Sequence, residues 1–235
     1  MFSTSLDKCR GYLKAQTRLA AKQARQELPV VTISREAGAG AVTIARLLAE
    51  LLNRQIPGKG GCPWTVFDRD LVEKVLEDHK LPKAIKQFMP EDAAVFSPGS
   101  LVEELLGLHP SSWTLAHHTT DTIFRLAHMG NVILVGRGSN VISADLKNAF
   151  HVRLVAPREV RIQRAAELYQ LTETKAAIFV RKNDRARARY VKVHFKVAID
   201  DPLQYHATFN TGRMSFEATA RLIAEAVSSE NAGCS

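Results

Sequence analysis

From Ser34 to Thr43 the chain reads Ser-Arg-Glu-Ala-Gly-Ala-Gly-Ala-Val-Thr. A hydroxyl, a cation and a carboxylate precede two glycines, and a second hydroxyl closes the run. Gly38 and Gly40 admit backbone torsions closed to other residues. Amides at the start of a following helix, with the positive end of its dipole, favour a phosphate. The chemistry expected is phosphate binding, with Ser34, Glu36, Gly38, Ala39, Gly40, Ala41, Val42 and Thr43 as the loop and Arg35 as a cation within it. The pattern departs from the lysine-bearing loop G-x-x-x-x-G-K-[ST]. Arg35 stands at the first glycine position, Ala41 at the lysine and Val42 at the next, with Thr43 one place later. A tight strand–helix turn with no ligand is the other reading.

The remaining cations fall in a pattern. The net charge is +8. Between Arg153 and Lys196 there are 12 Lys/Arg against 4 Asp/Glu, which leaves 20 of each elsewhere. A surplus confined to one stretch points to a polyanion site; a solvated basic helix is the plainer alternative. Arg158, Arg161 and Arg164 are spaced i, i+3, i+6, so neighbours in the row can converge on one anion or pair with Glu159 and Glu167. Arg181, Lys182, Arg185 and Arg187 follow, with Asp184 among them, either holding the arginines in register or making a plain helix ion pair. Arg137 lies between Gly136 and Gly138, and Asp68 and Arg69 end another apolar run. Asp70 suits a helix cap.

These residues need elements to hold them. Val30–Ser34, 64–68, 131–136, 150–156 and 206–210 read as strands. Ile44, Leu47, Leu48, Leu51 and Leu52 mark one face of a helix. Helices are expected over 69–79, 112–129, from Pro157 to about Tyr169, over 172–195, and after a Ser215 cap. Such alternation predicts an α/β fold: a three-layer α/β/α domain with a mostly parallel five-stranded sheet, the first strand near its centre. The domain is expected over 29–230, preceded by a helical arm over 1–28. An irregular insertion fills 81–112, and the basic helix over about 172–196 forms a lid. Trp64 and Trp113 read as core residues.

No apolar run reaches the roughly 20 residues of a membrane span, and the polar N-terminus is unlike a secretory signal. Cys9, Cys62 and Cys234 are scattered without a C-x-x-C pair, which fits a cytoplasmic location and implies neither a disulfide nor zinc. His109, His117, His118 and His128 lack metal-ligand spacing, and no residue is assigned as a metal ligand.

Four segments resemble the cytidylate kinase-like family, a divergent branch of the P-loop nucleoside monophosphate kinases: "ISREAGAGAVTIA", "FDRDLVEKVL", "VILVGRGSNVI…FHVRLVAPREVRIQR", and "RKNDRARARYVKVHF…DDPLQYHATFNTGRMSFEAT". The resemblance implies ATP- and Mg²⁺-dependent phosphoryl transfer to a nucleoside monophosphate, with CMP or dCMP favoured. Members lack the lysine, so positive charge must come from elsewhere. The residues expected to supply it are Arg35 with the lid arginines Arg181, Arg185 and Arg187. Asp68, Arg69, Arg137 and Asp184 are expected on the acceptor side, and Thr43, Glu36 and Asp68 are the oxygen donors nearest to a magnesium role. Nucleotide substrates are the partners expected. A membrane is not, nucleic acid is disfavoured because no aromatic-interleaved motif accompanies the charge, and a homo-oligomer is left open. The alternative is a degenerate nucleotide-binding regulatory or scaffold module, which Ala41 and Val42 favour.

Overall fold

The computed structural model describes residues 28–55, 63–68 and 112–232. The expected arm, the helix over 69–79 and the insertion over 81–112 lie outside the described residues, apart from Leu28 and Ser112. So do Arg69 and Asp70.

The β-branched run Val30–Arg35 forms β1, which a parallel sheet buries on both faces. It is followed by α1 (Ala41–Gln55), β2 (Thr65–Phe67), α2 (Ser112–Met129), β3 (Val132–Val135) and a four-residue helix, α3 (Ser139–Ile142). Then come β4 (Ala149–Val155), α4 (Arg158–Tyr169), α5 (Glu173–Phe195), a 3₁₀ turn at Pro202–Gln204, β5 (Ala207–Asn210) and α6 (Phe216–Ala232). The strand order is β2-β3-β1-β4-β5, and every pairing is parallel. β1 therefore lies at the centre, as expected. The short α3 was not expected; left-handed Gly138 starts it directly after β3.

Alternation along the strands sorts the two faces. Val31 and Ile33 of β1 join Ile133, Val135, Val152 and Leu154 in one apolar cluster. On that face the cluster takes in Ile44 and Leu48 of α1 and Ile223 and Val227 of α6. α2 packs against β3 from the other side, burying Ile123 and Leu126. α4 and α5 pack together through Ile162, Ala165, Ala176 and Val180. Trp64 is buried as expected. Thr172 caps α5 at Lys175 N–H, and the Ser215 hydroxyl accepts from Ala218 N–H at the start of α6. This connectivity brings the ends of β1, β2 and β3 to one edge, where α/β sheets bind ligands.

Candidate active site

The loop between β1 and α1 is held from behind. Gly38 and Gly40 both have φ of 80°. A Cβ on Gly38 would stand 2.5 Å from the Arg161 carbonyl oxygen, and one on Gly40 would enter the Phe216 ring. Only glycine fits at either place. Buried Arg161 ties the assembly together. Its guanidinium donates to Asp184 at 2.6 Å, to the Ala156 carbonyl at 2.9 Å and to the Ala37 carbonyl at 3.3 Å, and it pairs with Glu36 at 3.2 Å. Asp184 in turn accepts Ala37 N–H at 2.7 Å, and Glu36 accepts Ala156 N–H at 3.1 Å. From the other side Thr211 donates its hydroxyl proton to the Ala39 carbonyl at 3.1 Å, and Arg164 donates to the Thr211 carbonyl at 2.8 Å. The Arg164 guanidinium also covers the Phe216 ring at 4.7 Å. The loop is thus set before any ligand arrives, which spares binding the cost of ordering it.

Two cavities open at this edge. One, of about 600 Å³, is lined by Arg35–Gly38, Gly40–Thr43, Asp68, Arg164 and Phe216. The other, of about 280 Å³, is lined by Ser34, Gly136–Gly138, Asn140, Tyr190 and Ile199. Arg35, Asn183 and Arg187 line both. Gly136, Arg137 and Gly138 all have positive φ, 84°, 57° and 71°. For an arginine this is an uncommon and costly conformation, of a kind that gathers at functional sites. It holds the Arg137 guanidinium 5.6 Å from the Tyr190 ring. Burial pushes the Tyr190 phenol up, and Arg137 opposes that shift. A Cβ on Gly136 would run into the Arg35 guanidinium, so the bare backbone makes room for that cation.

Behind the smaller cavity, buried Arg153 donates to the Ser34 hydroxyl at 3.0 Å and stands 5.8 Å from the Tyr205 ring. The Tyr205 hydroxyl has one proton and two neighbours, the Ile199 carbonyl at 2.7 Å and Ser34 Oγ at 3.1 Å. The carbonyl can only accept, so Tyr205 donates there and Ser34 donates to Tyr205. Three arginines line the smaller cavity, a fourth stands behind it, and no carboxylate is among the described lining residues. That field selects an anion.

The family model described as "Cytidylate kinase-like family" matches residues 30–213. The chain belongs to the cytidylate kinase-like family. Among solved structures, a protein of Eubacterium ventriosum described as uncharacterized superposes with a TM-score of 0.63 at 18% identity, covering 87% of this chain and 99% of that one. A shikimate kinase from Bacteroides thetaiotaomicron gives a TM-score of 0.49 at 14% identity, covering 85% and 98%. The first likeness shows the fold alone. No curated protein matches. Membership in the cytidylate kinase-like family supports a kinase acting on a nucleotide or another small molecule.

The expected site residues of this family member divide into groups. Arg35, Arg137 and Arg187 meet around the smaller cavity, and Asp68 and Thr43 line the larger one. Glu36 and Asp184 are bound up with Arg161 behind the loop, and Asp184 lines neither cavity. Ser34 belongs to the smaller cavity instead of the loop cavity, and buried Ala39 lines neither. Arg181 and Arg185 are exposed and line neither, because they project from the face of α5 opposite to the one that packs. The structure does not bring these two to Arg35. Asn140, Asn183 and Tyr190 were not anticipated. The signal for two of them was present: residues 183, 187 and 190 are spaced i, i+4, i+7 on one helical face.

Proposed function

We propose that the protein is a nucleotide kinase that moves the γ-phosphoryl group of MgATP to a nucleoside monophosphate, CMP or dCMP being the acceptors that family membership favours. The observation that carries this reading is the wall shared by the two cavities. ATP would lie in the larger one, its phosphates against the loop amides and the N-terminus of α1. Thr43 and Asp68 offer oxygen ligands there to a magnesium ion that arrives with the nucleotide and keeps several waters. The acceptor would lie in the smaller cavity against Arg137. An oxygen of its phosphate attacks the γ-phosphorus, the bond to the β–γ bridging oxygen breaks, and ADP and a nucleoside diphosphate leave. Arg35 and Arg187, at the boundary, would face the group in transit, where charge stabilisation matters most.

The absence of a carboxylate or histidine among the described lining of the smaller cavity favours a phosphate acceptor. A hydroxyl acceptor must lose a proton, and so calls for a base within hydrogen-bond reach. A phosphate monoester, with its second pKa near 6, is already ionised at neutral pH.

The second reading, a degenerate nucleotide-binding module, is favoured by Ala41 and Val42, which bring no charge to the loop. ATP consumption with a panel of monophosphates, for wild type and Ala41→Lys, separates the two. The kinase reading expects turnover in wild type and little gain in the variant, since arginines already supply the charge. An inactive wild type with an active Ala41→Lys would mean that the loop is degenerate and uncompensated.

A further inference from the structure

The charge surplus between Arg153 and Lys196 is only partly placed at the cavities, where Arg164 and Arg187 line the walls and Arg153 and Arg161 stand behind them. Of the α5 cations, Arg187 alone lines them. Arg181, Lys182, Arg185, Arg189 and Lys192 of α5, and Lys196 at its C-cap, are all exposed. At 3.6 residues per turn these positions fall within about 100° of arc and span about 22 Å of axis. No acidic residue shares the stripe; α5 holds Glu173 and Asp184, and both lie outside that arc. None of the six makes an ion pair with a described residue. Each cation without a partner among the described residues raises the self-repulsion of the stripe, and a polyanion would relieve it.

We infer that this outer face of α5 docks the phosphodiester backbone of a duplex nucleic acid, without reading its sequence. Over about 22 Å a duplex carries on the order of a dozen phosphate charges, ample to face six cations. Three features select this occupant. A membrane-surface helix must free an apolar face to enter the lipid. The apolar face of α5, with Ala176, Val180 and Val191, is turned into the protein, and its exposed large apolar residues Ile178 and Val193 stand at opposite ends. A single strand is held by stacking on aromatic side chains. Phe179, Tyr190 and Phe195 are all partly buried, so none offers an open platform. A straight cationic stripe without aromatics matches backbone contact alone.

The test is fluorescence anisotropy of the full chain with short mixed-sequence DNA and RNA duplexes across a salt series. The single strand of the same sequence and phosphatidylserine vesicles serve as competitors. With most of the stripe in contact, log K should fall with log salt at a slope of about −4. Arg189→Ala with Lys192→Ala should make that slope shallower by about 2. Both changes are to a good helix former at exposed positions, so melting should stay near wild type. Saturating MgATP should leave duplex binding unchanged, which separates the stripe from the cavities whether or not the protein is a kinase. A slope shallower than about −1, a slope that the double variant does not alter, displacement by MgATP, or displacement by the vesicles but not by excess duplex would each overturn the inference. DNA and RNA arms of equal affinity would identify a backbone shared by both, and a preference would name the source.

Discussion

Arg185 and Arg187 are two residues apart, and their surroundings differ completely. Arg187 is half-buried, 3.6 Å from Asp184, and lines both cavities, whereas Arg185 is exposed on the outer stripe. Two residues on a helix turn a side chain by about 200°, so composition identified the lid as cationic but not which cations face inward. The helical phase was legible all the same: Ala176, Val180 and Val191 recur on one face, which fixes 183, 184 and 187 near it. Arg35 and Arg137 were easier to read, because Arg35 closes a buried strand shortly before Gly38 and Gly40, and Arg137 lies between Gly136 and Gly138 just past another. If Arg187 stabilises the moving phosphoryl group, Arg187→Ala should lower kcat about a hundredfold with little change in the dissociation constant of ATP. Arg185→Ala should leave both near wild type. Steady-state rates and ATP titrations on the two variants check this; equal losses would put the transfer site elsewhere on α5.

Among the elements, the junction of α4, α5 and the loop is the least legible part. The row Arg158, Arg161, Arg164 is plain in the sequence, yet the partners of Arg161 come from residues 125 and 23 positions away in the chain, Glu36 and Asp184. Long-range pairings of this kind leave no local pattern. Asp184→Ala would leave the buried Arg161 guanidinium short of a partner and Ala37 N–H without its acceptor. The expected loss is about 3 kcal/mol in urea denaturation. Asp184→Asn should lose less, because its amide oxygen can still accept from Ala37. Strands were read to within a residue or so, since a buried parallel strand is a continuous β-branched run. The β1–β4 pairing adds a contact that the sequence did not suggest. Thr32 and His151 face each other across it, with 2.8 Å between hydroxyl and Nδ1. Burial, and secondarily the charge of His206, lowers the His151 pKa from 6.5 to about 4. The fold therefore holds the ring neutral while the unfolded chain takes up a proton. Stability from this group is complete above pH 6.5 and is lost as pH falls from 6.5 towards 4, by up to about 3 kcal/mol. Denaturation curves of wild type and His151→Gln across that window should converge at the acid end; parallel curves would show that His151 does not carry the dependence.

For the molecule as a whole, charge follows two separate designs. Arginines from four different segments line a pair of cavities with a common wall, and a mixed row of arginines and lysines covers the outside of α5. The surplus of basic residues announced a polyanion site without revealing that it was divided, because net charge is a sum and carries no direction. The fold itself was legible from alternation, and among the described residues no helix is long and apolar enough to cross a membrane. The cavities share Arg35 and Arg187 in their walls, and on the proposed reading this makes a path: a group leaving the larger one past these residues would enter the smaller one beside Arg137. The most direct measurement of that path is transfer of label from γ-labelled MgATP to CMP, dCMP and the other nucleoside monophosphates by the wild-type chain, followed by separation of the products. Label should appear in a nucleoside diphosphate, most of all from CMP or dCMP. If ATP binds but label stays in ATP, or appears only as free phosphate with every monophosphate, the cavities do not form a kinase site.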